Sequence, residues 1–99
     1  MNKDQFLSLL GLCKRANRLV SGEEMSLEKI KSNQAKLVVL ASDAGPNTKK
    51  RILDKAHTYQ VRVVEELTSD DISHAIGKKN RKVIVITDIG FAKKMMSIL

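Results

Sequence analysis

Leu37-Val38-Val39-Leu40-Ala41 is an unbroken apolar run of residues that favour extended chain. A strand with one wet face alternates apolar and polar residues. A run without alternation reads as a strand covered on both faces. Val83-Ile84-Val85-Ile86 repeats the pattern near the other end of the chain. Two such strands require helices above and below them, so the rest of the sequence must supply amphipathic helices.

It does. Phe6, Leu9, Leu10 and Cys13 recur at helical spacing, with Asn2 placed to cap the helix and Asp4 in its first turn. Lys14-Arg15 closes it with the charge that the C-terminal end prefers. Leu19-Val20 is long enough only for a stub strand. Ser21 and Glu24 form a capping-box pattern, and Val20 and Met25 stand at hydrophobic-staple positions. A second helix is therefore expected from Ser21 as cap to about Ser32, with Asn33 as its left-handed terminator. Asn47 is placed to cap a third helix, whose apolar positions are Ile52, Ala56 and Tyr59. Val61-Arg62-Val63-Val64 reads as a shorter strand. Thr68 and Asp71 repeat the capping box before Ile72, Ala75 and Ile76, and Gly77 ends that fourth helix. A last helix runs from Gly90 to about Ile98, with Phe91, Met95 and Ile98 on one face. Helices alternating with buried strands imply an α/β fold, a three-layer α/β/α sandwich around a small mixed sheet of about four strands.

A chain of 99 residues makes a single domain, residues 1–99. Its one cysteine, Cys13, rules out an internal disulfide and reads as a small core residue. The N-terminus lacks a signal pattern, and no run approaches the ~18 apolar residues of a membrane span. A cytoplasmic protein with no membrane partner is expected. Net charge is +7 and the pI about 9.8, which favours nucleic acid or the ribosome as partner. Phe6, Tyr59 and Phe91 are the only aromatics. A stacking platform for single strands wants several exposed rings, so structured RNA or DNA is the better match.

Three places carry the charge or break a local rule. Lys78-Lys79-Asn80-Arg81-Lys82 packs four cations without an acid, and counterion release rewards such a loop on a phosphate backbone. Gly22 stands at the expected first position of the second helix, where it caps nothing and costs backbone entropy. A missing side chain there would let a partner approach the helix tip, whose free amides accept anions or base acceptors. Lys49-Lys50-Arg51 puts three cations at the wrong end of a helix dipole, although a solvated helix face is the simpler reading. Lys14, Arg15 and Arg18 lead towards Gly22; with a short stub strand they lie beside the tip of the second helix, and at least one is expected to contact phosphate. His57 and His74 are isolated, and Asp43 and Asp88 read as turn and cap residues. No nucleophile–base pair, metal-ligand cluster or phosphate loop stands out, so neither an enzyme nor a cofactor is expected.

The order of elements resembles the small archaeal-type ribosomal proteins of the "L seven Ae" family, and a bacterial branch of it in particular. Nearly the whole chain is covered. The resemblance rests on Leu9-Leu10-Gly11-Leu12 with Arg15 and Arg18, on Val20-Ser21-Gly22-Glu23, on Ala35 to Ala44, and on Val85 to Ala92. It implies kink-turn RNA as ligand. In that family a Gly-x-Asn-Glu-x-x-Lys pattern at the start of the second helix meets tandem sheared G·A pairs, and a loop before the last strand closes over a flipped-out base. Carried over, Gly22 matches the Gly, while Glu24, Met25 and Glu28 stand at the Asn, Glu and Lys positions. Glu23 and Lys29 lie one residue from the expected carboxylate and cation. The closing loop matches Ile76, Gly77, Lys78, Lys79, Asn80 and Arg81. The resulting expectation is a monomeric, ribosome-associated protein that binds structured RNA, a kink-turn or a related G·A-containing motif, without catalysis. Lys14, Arg15, Arg18, Lys78, Lys79 and Arg81 would sit on phosphates, and Ser21 to Met25, with Glu28 and Lys29, would read bases. The alternatives are a general RNA-binding accessory factor without kink-turn specificity and a protein–protein module, the latter because the last helix is apolar to its end (Met95, Met96, Ile98, Leu99) and residues 61–76 are acidic.

Overall fold

The computed structural model describes residues 1–99. In chain order the elements are α1 (Lys3–Arg15), β1 (Leu19–Ser21), α2 (Glu23–Lys31), β2 (Leu37–Leu40), α3 (Pro46–Thr58), β3 (Val63–Val64), α4 (Ser69–Ile76), β4 (Val83–Ile86) and α5 (Ile89–Ser97). The four strands form one sheet in the order β1-β4-β2-β3. β4 runs antiparallel to both neighbours, and β2 pairs in parallel with β3. The two unbroken apolar runs are therefore the two inner strands, and every residue of β2 and β4 is buried. α2 and α3 pack together on one face, and α1 with α4 and α5 on the other. This is the three-layer arrangement that the continuous runs require.

One cluster of 25 buried residues runs through all layers. Phe6, Leu9, Leu10 and Cys13 form the buried side of α1. Burial pushes the Cys13 thiol up to about 11, so it stays protonated and inert. The apolar end of the chain is not left free. Met95 is fully buried, and Met96, Ile98 and Leu99 pack against the core. That removes the observation behind a protein-docking tail. No helix is long and apolar enough to cross a membrane.

Helix starts follow the expected chemistry in two places. Asn2 accepts from the Gln5 amide, and Thr68 and Asp71 complete the capping box of α4, which Gly77 closes in the left-handed conformation at φ 68°. One other helix start and one strand differ. α3 begins at Pro46 with Gly45 as cap, so Asn47 lies inside the first turn and caps nothing. Proline with its fixed φ is the better first residue. The 61–64 strand is only two residues long, because only Val63 and Val64 meet partners on β2. Both sheet edges are thus short, which leaves little open ladder for another chain.

Asp43, just after β2, ties the sheet end to α4. Its carboxylate accepts from the Ser69 amide at 2.7 Å and from the Ser69 hydroxyl at 2.6 Å. These bonds hold its carboxyl below the ordinary range, and the Lys3 ammonium does the same for Asp71. Both charged forms therefore stabilise the fold above the ordinary carboxylate pKa of about 4, and that support is lost as pH falls through the lowered values. The melting temperature should drop from about pH 5 to about pH 2, and drop less in an Asp43→Asn protein. Equal acid sensitivity of the two in thermal melts would remove Asp43 from this account.

Candidate nucleic-acid interface

One end of the sheet carries most of the residues singled out by sequence. Ser21 ends β1 opposite Ile84, and the Gly22 amide donates to the Val83 carbonyl at 3.0 Å. The ladder thus sets the start of α2 beside the loop 77–82 that feeds β4. Gly22 is the helix cap itself, at φ 99° and ψ 156°, and no side chain caps α2. That conformation is open in practice to glycine alone. The expected Ser21–Glu24 capping box and the Val20–Met25 staple are not formed. Pairing with β4 keeps Ser21 extended, the helix starts one residue later, and Met25 is left half exposed. The first amides of α2, those of Glu23, Glu24 and Met25, therefore have no capping side chain.

The acidic tip is not free of partners. Glu23 accepts from the Thr48 hydroxyl at 2.5 Å and from the Arg51 guanidinium. The same Arg51 Nη1 also donates to Glu24 at 3.2 Å. Lys50 pairs with Asp54, and Lys49 donates to the Ser42 carbonyl. This resolves the broken rule on α3. The helix starts early enough to put the three cations past its first turn, and each has a protein partner. Sequence reading missed Thr48 and Arg51 as tip residues. The available signal was the facing of an acidic and a basic segment, each unexplained alone. Further along α2, Glu28 is exposed, and Lys29 donates to Gln34 at 3.2 Å.

The basic loop is held at its base and open above it. Ser73 on α4 accepts from the Arg81 amide at 2.9 Å and donates to the Arg81 carbonyl. Asn80 turns the chain at φ 55°. The Arg81 guanidinium leans on the helix tip, with Nη1 3.4 Å from where a Cβ on Gly22 would stand. Its Nε is buried without a partner. Lys78, Lys79 and Lys82 are exposed and enter none of the chain's ion pairs. Ile76 is drawn into the core at 5% exposure, so the loop's outer surface begins at Gly77.

The structure divides the remaining cations. Lys14 and Arg15 line an open groove of about 1040 Å³ between α1 and α4, whose α4 wall ends at Ile76, next to the loop. Arg18 stays beside the last turn of α1, its amide donating to the Cys13 carbonyl at 3.0 Å, but it does not line the groove. Its carbonyl accepts from the Thr87 amide and hydroxyl, both at 3.0 Å, at the far end of the β1–β4 pair. Three strand residues rise about 10 Å, which separates it from Gly22. The expectation that it would lie at the tip treated the chain as turning sooner than it does. Asp88 caps α5 by accepting from the Phe91 amide at 2.8 Å. His57 and His74 are exposed, and no three metal-ligating side chains gather anywhere.

Residues 4–96 match the ribosomal protein L7Ae/L30e/S12e/Gadd45 family. The RNA-binding protein YlxQ of Enterococcus faecium is 41% identical over 98 residues, which cover 99% of this chain and 94% of that protein. The RNA-binding protein YlxQ of Bacillus subtilis (strain 168) is 39% identical over 99 residues, 100% of this chain and 99% of that one. The bacterial branch seen in the sequence is thus the YlxQ-like one. Among solved structures, a protein of unknown function from Bacillus halodurans superposes with a TM-score of 0.90 at 43% identity, covering 94% of each chain. The Giardia lamblia 15.5kD RNA binding protein shares the fold, with a TM-score of 0.77 at 16% identity over 100% of this chain and 92% of that one.

Proposed function

Because the chain belongs to the ribosomal protein L7Ae/L30e/S12e/Gadd45 family, we propose that it binds structured RNA and catalyses no reaction. Its target is a kink-turn or a related motif containing G·A pairs. It acts as a cytoplasmic monomer associated with the ribosome. One observation carries this reading. A glycine-opened, uncapped helix tip and a loop of unpaired cations stand side by side, joined by the Gly22–Val83 bond and braced by Arg81. Phosphate contacts position a protein on nucleic acid, and contacts to base edges specify the site. Lys78 and Lys79 take the first role, with Lys14 and Arg15 extending the track along the α1–α4 groove. The α2 tip takes the second, presenting Glu24, Met25 and Glu28 outward. Arg18 reaches only an RNA long enough to follow β1 to its other end. The names of the two curated relatives support RNA as the partner class.

The test is a titration of a kink-turn RNA at fixed salt, beside the same RNA with its G·A pairs changed to Watson–Crick pairs. A preference of tenfold or more, about 1.4 kcal/mol, is expected. Equal, salt-sensitive affinity for both would reduce the tip to a helix start and leave a general RNA-binding surface.

A further inference from the structure

We propose that Arg51, on α3, is a specificity-determining residue of this interface. Paired with Glu24, it presents a base with a hydrogen-bond donor beside an acceptor. The inference rests on the RNA-binding reading above and assigns one contact within it.

The two carboxylates at the tip are not equivalent. Glu23 is 27% exposed and is held from both sides by Thr48 and Arg51, so it acts as the anchor. Glu24 is 81% exposed and has one oxygen engaged, leaving the other outward. Arg51 is half exposed, and only its Nη1 meets a protein acceptor. Its Nη2 and Nε therefore keep protons without a protein partner, on the same guanidinium that holds Glu24. A carboxylate alone only accepts, and a guanidinium alone only donates. Held together, they match a base edge that itself offers an acceptor and a donor. In the major groove adenine does so, with N7 and the N6 amino group, whereas guanine shows two acceptors. Against guanine the carboxylate would face O6, two acceptors with no proton between them. The pair also lowers the charge problem of an acidic tip. Two bare carboxylates would repel an incoming phosphate backbone, and the guanidinium cancels one of them.

The test uses the full chain and the same kink-turn RNA at fixed salt, with melting temperatures taken alongside. Arg51→Ala should bind about tenfold more weakly, the loss of one good base contact. Arg51→Lys should lose nearly as much, because an ammonium is a point charge without the planar fork. Glu24→Gln placed in the Arg51→Ala background should recover most of the affinity, since one amide carries both donor and acceptor. Recovery by Glu24→Gln is the result a mere α2–α3 brace would not give. Loss without recovery, or loss with a salt slope shallower by about one, would make Arg51 a brace or a phosphate contact and overturn the assignment. A flat series in which all variants bind like the wild type would overturn it too. Failure of the wild type to bind the RNA at all would instead strike the RNA-binding reading, and the assignment with it.

Discussion

A protein carrying Lys78→Ala and Lys79→Ala is expected to bind structured RNA about twentyfold more weakly at roughly 0.15 M salt, with a log–log salt slope shallower by about 1.5. Counterion release sets this loss. Each phosphate neutralised contributes a slope of about 0.7 to 0.9, which at this salt is worth close to fivefold in affinity. Two contacts multiply to the expected loss. The fold should be indifferent. Both side chains are exposed, neither enters an ion pair, and they stand outside every helix and strand. The melting temperature should therefore stay where it is, which separates a binding defect from a folding one. Arg81 is the wrong residue for this purpose, because its guanidinium braces the helix tip and its Nε is buried. Weaker binding with an unchanged slope would mean that the loop acts other than through phosphate. No loss at all would take the loop out of the interface.

The inner sheet was legible because its signal is local: an unbroken apolar run of four or five residues, rich in Val and Ile, is too short for a buried helix and fits a strand covered on both faces. The start of α4 was legible for the same reason, since Thr68 and Asp71 bond each other's backbone within one turn. The start of α2 shows the limit. Ser21 and Glu24 satisfy the same spacing, but Ser21 is claimed by pairing with Ile84, 63 positions away in sequence. Local capping lost to a long-range ladder. Gly22 was still recognisable as a residue without a capping reason, and the structure supplies the reason in its backbone angles. The basic loop was legible from charge alone, whereas its place beside the tip needed the register of β1 on β4. Arg51 was visible only as a broken rule. Its partners lie 27 and 28 residues back, and nothing in the sequence says that α3 packs against α2 at that height.

Gly22→Ala should do the greatest damage of any single conservative change at this interface. At φ 99° and ψ 156° the glycine occupies a region that L side chains avoid. Holding an alanine there costs about 1–3 kcal/mol. For a domain of this size each kcal/mol lowers the melting temperature by roughly 4–8 °C, so a fall near 10 °C is expected. Space is not the obstacle. The added Cβ would meet Arg81 Nη1 at 3.4 Å, an ordinary contact with a flexible side chain. The chain can escape the strain only by rotating the peptide, which breaks the Gly22–Val83 bond and swings the tip of α2 away from the basic loop. Losing two base contacts of about 1–3 kcal/mol each would weaken RNA binding roughly a hundredfold at 25 °C, where the protein is still folded. Ser21→Ala is the control. If Ser21 capped α2, its loss would cost about 1 kcal/mol. As a strand residue whose hydroxyl caps nothing, it should be nearly silent in melts and titrations. A silent Ser21→Ala beside a damaged Gly22→Ala would fix the helix start at the glycine. The reverse pattern would return the cap to Ser21 and dissolve the geometric link between tip and loop on which the interface depends.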